Sequence, residues 1–161
     1  MTARQLTTAK PRVTLADLFF RHARTLYDWM YRRGAPWEGS TKPDFIELLS
    51  SGRIAPGTVG PRAIDIGCGI GDYSRLLAQH GFDVSGVDLS PVAIERARSG
   101  TDPGPLSPRF VNADLLDLPK GVSGPFDLLV DIGTLDDFPR TRRPEGVEVI
   151  TSLARPGSVL Y

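Results

Sequence analysis

The stretch Ala63–Ser74, AIDIGCGIGDYS, constrains the fold of this chain more than any other. An apolar run broken only by Asp65 leads into glycines at 67, 69 and 71. A short apolar run bounded by turn residues reads as a buried strand. Glycines directly after it read as a turn with positive φ that lets a ligand approach the backbone. Ligands of open α/β sheets sit beyond the carboxyl ends of the strands, and this turn stands at such an end.

The rest of the chain supplies the sheet that such a turn needs. Arg62–Ile66 is the first expected strand, followed by a helix over Tyr73–Gln79 that stops at Gly81. Phe82–Val87 is the next strand. Pro91–Arg98 follows as a helix capped by Ser90 with Pro91 at its first position. Arg109–Asn112 and Phe126–Val130 are further strands, Glu145–Leu153 a helix, and Ser158–Tyr161 a fifth strand after a turn at Pro156-Gly157. This βαβ series predicts an α/β fold: a Rossmann-like, mostly parallel sheet with flanking helices.

Upstream, residues 1–13 read as loose. Thr14 is a candidate cap for a helix over Leu15–Met30, with Leu15, Leu18, Phe19, His22, Leu26 and Trp29 near one apolar face. Trp29 therefore reads as a core residue. Gly34-Ala-Pro36 ends this helix, and Trp37 follows in a polar segment. Pro43–Leu49 is a second helix, and IAPGTVGP links it to the first strand. The expected organisation is a helical cover over residues 1–61 and a ligand-binding core over 62–161.

Composition narrows the partners. The 161 residues are 40% hydrophobic, with 19 basic and 19 acidic side chains. Residues 1–62 hold ten Lys/Arg and five Asp/Glu; the remainder hold nine and fourteen. This asymmetry can steer a ligand, but bases are too scattered for a nucleic-acid stripe. No run approaches the roughly 18 apolar residues that span a bilayer. One cysteine rules out an internal disulfide framework. The start lacks the pattern of a signal peptide, so the expected compartment is the cytoplasm. No His/Cys/Asp spacing suggests a metal.

Charge around the glycine turn selects its ligand. The dinucleotide fingerprint G-x-G-x-x-G would need glycine at 72, where Asp72 stands. With Asp65 before the turn, two carboxylates flank a place that pyrophosphate would have to occupy. The turn suits an amine or another cation, and Asp72 reads equally as a helix cap. Asp88 follows the second strand, 21 residues beyond Gly67, at the spacing of a ribose-binding carboxylate. Asp114, after the third strand, can accept from an exocyclic adenine amine, with Leu89 and Leu115 against the base. A nucleoside with a cationic tail and no phosphate satisfies these three sites, and S-adenosylmethionine is such a molecule.

The series IDIGCGIGDYS, VSGVDLS, NADLLDLP and FDLLVDIGTLDDF resembles the class I S-adenosylmethionine-dependent methyltransferases. YDWMYRRGAPWEG and KPDFIELL resemble, more narrowly, the small-molecule branch that includes thiopurine-type and heterocyclic-toxin-type enzymes. The resemblance covers about Tyr27 to Tyr161. It implies that Gly67, Cys68 and Gly69 line the methionine part of the cofactor and that Asp65 helps fix its amino group. It implies Asp88 on the ribose, Leu89 and Leu115 on adenine, and Asp114 on its amine. Asp131 would border the departing methyl, and Tyr27 and Trp37 would belong to the cover. Cys68 would be a pocket residue and not a nucleophile. Relatives in this family carry seven strands, and this chain has room for five, so strands 6 and 7 are expected to be missing or to lie on a longer natural chain.

The implied reaction is methyl transfer to a small-molecule O, S or N nucleophile, aromatic or heterocyclic in the implied branch. Orientation carries much of such a reaction, and a base is needed only for an acceptor that arrives protonated. His22 and His80 read as structural. Asp136 and Asp137 read either as favouring a polar or basic acceptor or as a solvated loop. Two other readings stand beside this one: a nicotinamide-dependent oxidoreductase, opposed by Asp72, and a cofactor-binding remnant or interaction module.

Overall fold

The computed structural model describes residues 15–54 and 59–161. Residues 1–13, the expected cap Thr14 and the middle of the IAPGTVGP linker lie outside the described residues. Two helices come first, α1 (Leu15–Arg33) and α2 (Pro43–Ser50). Then β1 (Arg62–Ile66), α3 (Asp72–Gln79), β2 (Asp83–Asp88), α4 (Pro91–Ser99), β3 (Arg109–Asn112) and β4 (Phe126–Asp131) alternate. A short 3₁₀ turn (Leu135–Asp137), α5 (Arg143–Ser152) and β5 (Ala154–Leu160) complete the order.

The strands form one parallel sheet in the order β3-β2-β1-β4-β5. Connections from β1 run outward to β2 and β3 on one side, then return to β4 and β5 on the other. The order reverses at β1, directly below the glycine turn, and such a switch point opens a crevice at the carboxyl ends.

Both faces of the sheet are covered, as parallel sheets require. Ile64, Ile66 and Leu129 pack on one face with Ile150 of α5 and Leu153. Ala63, Leu128 and Val130 pack on the other with Leu77 and Ala78 of α3 and Phe45 of α2. Phe45, Leu77 and Phe126 are fully buried, and each such side chain contributes about 1.5–3 kcal/mol. Ile94 and Ala97 bring α4 onto Phe110 of β3. Ser90 caps α4 by accepting from the Ala93 amide at 3.2 Å, as its sequence predicts.

Three expectations are corrected. The apolar stripe of α1 faces outward: Leu15 is 85% exposed, Trp29 52%, and Leu18 and Leu26 are also exposed. The inward side carries Ala23 and Tyr31, both buried, with Phe20, Tyr27 and Met30 half-buried. Tyrosines turn inward because their rings bury apolar area while their hydroxyls meet polar groups at the sheet end. Trp29 is not a core residue; the Arg33 guanidinium stacks on it at 4.3 Å.

The cap of α3 is Gly71, with φ +86°, and not Asp72. Asp72 instead pairs with Arg75 at 2.6 Å and accepts from the Gly39 amide at 2.8 Å. The last strand begins at Ala154, earlier than expected. Phe126 pairs with Ala154 and Leu128 with Val159, so Pro156 and Gly157 form a bulge inside the strand. Beyond it, the Tyr161 ring lies 4.7 Å from that of Phe45, and its hydroxyl donates to Asp44 at 2.9 Å.

Candidate functional site

At the carboxyl ends of β1, β2 and β4, beneath α1, lies a cavity of about 510 Å³. Its floor is the turn Gly67–Ile70. One wall is built by the ends of β2 and β3, through Asp88, Leu89, Ala113, Asp114 and Leu115. The opposite wall follows β4, from Ile132 to Thr134 and then Asp137 and Phe138. Tyr27, Tyr31 and Trp37 form the roof, with Phe20 at its edge.

The turn is held by its neighbours on both sides. Gly67 has φ +68°, and a methyl group on its Cα would run into the hydroxyl of Thr134, which donates to the Ile66 carbonyl at 3.0 Å. Gly69 has φ +54°, and a methyl there would lie 2.8 Å from the Tyr31 hydroxyl. The two glycines thus accept close approach from the β4 loop and from the roof.

Asp88 ties the turn to the next strand. One carboxylate oxygen accepts from the Gly69 amide at 2.8 Å and the other from the Ser90 amide at 2.7 Å. Asn112 donates to the carbonyls of Asp88 and Leu89, both at 2.9 Å, which fixes the β2 end against β3. Burial raises the Asp88 carboxyl above its ordinary value, and the two amides work against that rise. A buried anion facing a cavity favours a cation or hydroxyl donors there. Asp114 lines the same wall and accepts from the Leu116 amide at 2.9 Å.

The roof is fastened by polar contacts. Arg96 of α4 clasps Glu38 at 2.7 and 2.9 Å, and this pairing holds the Glu38 carboxyl below its ordinary value. Asp28 receives the Ser90 hydroxyl, Lys42 donates its amide to the Tyr73 hydroxyl at 3.0 Å, and Tyr27 donates to Asp137. Trp37 donates to the Tyr31 hydroxyl at 3.4 Å. Burial pushes the hydroxyls of Tyr27 and Tyr31 far above their usual range, so both remain protonated.

Of the residues that the sequence marks out, the structure brings Tyr27, Trp37, Gly67, Cys68, Gly69, Asp88, Leu89, Asp114 and Leu115 to one cavity. Asp65 and Asp131 are not among its lining. Asp65 is 2% exposed and accepts from the Ser74 hydroxyl of α3 at 2.6 Å. Asp131 accepts from the amides of Thr134 and Leu135 at 2.8 and 3.2 Å, shaping the loop that reaches Gly67. Burial pushes the Cys68 thiol up, consistent with a pocket residue that does not ionise. His22 and His80 do not line the cavity; His80 ends α3 beside the Leu76 carbonyl at 2.9 Å.

Sequence reasoning missed Tyr31, Thr134 and Phe138. Tyr31 stands four residues beyond Tyr27, the helical spacing that puts both on one face. Thr134 and Phe138 belong to a loop with no periodicity, and only the fold shows their direction. Among the described residues no group of three His, Cys, Asp or Glu is placed to hold a metal, and no helix is long and apolar enough to cross a membrane.

Comparison with known proteins is consistent with this arrangement. Residues 63–157, more than half of the chain, match the family described as the methyltransferase domain. The chain is 29% identical over 125 residues to 2-methyl-6-phytyl-1,4-hydroquinone methyltransferase of Synechocystis sp., covering 74% of this chain and 37% of that one. It is 28% identical over 125 residues to 2-heptyl-1-hydroxyquinolin-4(1H)-one methyltransferase of Mycobacteroides abscessus, covering 76% and 52%. One similar solved structure comes from work on the conversion of a disulfide bond into a thioacetal group during echinomycin biosynthesis. It has a TM-score of 0.71 and 33% identity, and covers 85% of this chain and 59% of its own. The chain thus spans about two fifths to a half of the length of these curated relatives.

Proposed function

The chain belongs to the methyltransferase domain family, and from that premise we propose that it binds S-adenosylmethionine and transfers its methyl group to an aromatic or heteroaromatic small molecule. Asp88 carries this reading. It is a buried carboxylate that ties the glycine turn to β2 and lines the same cavity as Asp114 and Leu115.

The lining suits the cofactor in three respects. Asp88 accepts from ribose hydroxyls while keeping its two backbone amides, because each carboxylate oxygen has a second lone pair. Leu89 and Leu115 sandwich the base, and Asp114 accepts from its amine. Gly67, Cys68 and Gly69 leave room for the amino-acid tail beside Tyr31. The cofactor supplies a methyl on positively charged sulfur, and the acidic lining favours that charge.

Residues 1–61 act as the cover and residues 62–161 as the cofactor-binding core. The cover excludes water and holds the acceptor in line, and such orientation carries much of the reaction. The aromatic roof supports a flat acceptor: Tyr27, Tyr31 and Trp37 stand with centroids 6.1–6.3 Å apart above the turn. Relatives named for a hydroquinone and a hydroxyquinolinone agree with this choice. A single cysteine suits a reducing compartment, and we place the reaction in the cytoplasm.

The test is transfer of a labelled methyl group from S-adenosylmethionine to a panel of phenols, hydroxyquinolines, heterocyclic thiols and amines. Transfer to an aromatic member of the panel supports the reading. Cofactor binding with no transfer to any member favours the reading as a binding remnant.

A further inference from the structure

We infer that Asp137 is the catalytic base for an acceptor that enters the cavity uncharged and carries its own proton. The inference rests on the methyl-transfer reading above.

Among the described residues, five carboxylates line the cavity. Glu38 is clasped by Arg96, and Asp72 is paired with Arg75. Asp88 holds the amides of Gly69 and Ser90, and Asp114 holds that of Leu116. Asp137 differs from these. Among the described residues its carboxylate has neither a cation nor a backbone amide; its one partner is the Tyr27 hydroxyl, on Oδ2. No buried polar side-chain atom among the described residues lacks a partner, so Oδ1 is accessible. Tyr27 donates and stays protonated, which leaves Asp137 the acceptor in that pair.

Its position is that of the acceptor side. Asp88, Leu89 and Asp114 occupy the cavity wall formed by β2 and β3. Asp137 stands on the opposite wall, beyond β4, next to Phe138, whose ring lies 4.8 Å from that of Phe20. An apolar, aromatic surface with one uncommitted carboxylate suits a planar molecule with an O–H, N–H or S–H bond directed at that oxygen.

Charge decides the form in which the acceptor arrives. Among the described residues, Asp88, Asp114 and Asp137 face the cavity without a cationic partner, and Lys42 is the basic residue in the lining. An anionic acceptor would meet like charge in a part-buried site. The acceptor therefore enters with its proton, and the site must remove it. The nucleophilic atom forms a bond to the methyl carbon of the sulfonium donor. The carbon–sulfur bond breaks, its electron pair stays on sulfur as a neutral thioether, and the acceptor proton passes to Asp137 Oδ1. One positive and one negative charge disappear together. Asp137 is half-buried and returns the proton to solvent.

The test uses the whole chain saturated with S-adenosylhomocysteine, with 4-nitrophenol as a probe whose absorbance distinguishes phenol from anion. Wild type is expected to hold the neutral phenol, its titration raised by about one pH unit or more. Asp137→Asn, whose amide oxygen still accepts from Tyr27, should remove most of that rise while S-adenosylhomocysteine still saturates the protein. Asp136→Asn, whose side chain is 85% exposed and outside the lining, should behave as wild type. With the acceptor identified by the panel above, Asp137→Asn should lower kcat by about 10²–10⁴-fold. A probe bound as the anion, a probe that does not bind, or a titration identical in Asp137→Asn overturns the inference while leaving the cofactor reading intact. Failure of S-adenosylhomocysteine to bind overturns both.

Discussion

The Asp88 carboxylate accepts the Gly69 amide at 2.8 Å across the gap between β2 and the glycine turn. One residue thus shapes the turn and faces the cavity. Asp88→Ala should lower the affinity for S-adenosylhomocysteine by about tenfold or more, since hydrogen bonds to a charged acceptor contribute roughly 1.5–3 kcal/mol. Calorimetric titration of a variant with native circular dichroism checks this. Unchanged affinity in a folded variant removes Asp88 from the site.

Gly67 and Thr134 form a second pair. Gly67→Ala should destabilise the protein by about 1–3 kcal/mol, from left-handed backbone strain and the collision with the Thr134 hydroxyl. In a Thr134→Ala background the penalty should shrink, because the colliding oxygen is gone. Urea unfolding of the two single variants and the double variant gives the coupling. Equal costs in both backgrounds would show that Thr134 does not set the need for glycine.

Asp65 makes stability depend on pH. Burial raises its carboxyl from 3.8 to about 7, partly offset by the Ser74 hydroxyl. The folded chain therefore holds this proton more tightly than the unfolded chain. The resulting stability is fully present below about pH 4 and is lost as pH rises through about 7. Asp65→Asn stays neutral throughout. The unfolding free energy of wild type relative to Asp65→Asn should fall across that window. A flat difference would show that Asp65 ionises in the folded protein as it does in the unfolded one.

The sheet was legible because parallel strands are buried on both faces and leave short apolar runs between turn residues. Arg62–Ile66 and Arg109–Asn112 fall where the sequence places them. The wall formed by β2 and β3 was legible too, since Asp88 and Asp114 follow strands at fixed spacing. The roof was harder to read. On α1 the strongest apolar stripe, through Leu15, Leu18 and Trp29, faces outward, while Tyr27 and Tyr31 face the cavity. Hydrophobic period locates a helix but cannot say which face a polar-tipped cavity will recruit. Asp65 and Asp72 also have partners inside the fold that spacing alone does not show: their carboxylates meet Ser74 and Arg75, brought close by the turn of α3, and Asp72 lines the cavity as well.

Calorimetric titration of S-adenosylhomocysteine and of NAD into the same protein tests the central claim most directly. The carboxylate-flanked turn and Asp88 predict saturable, one-to-one binding of S-adenosylhomocysteine and no measurable heat from NAD. Preferential binding of NAD would contradict the claim that this cavity is built for a methyl donor.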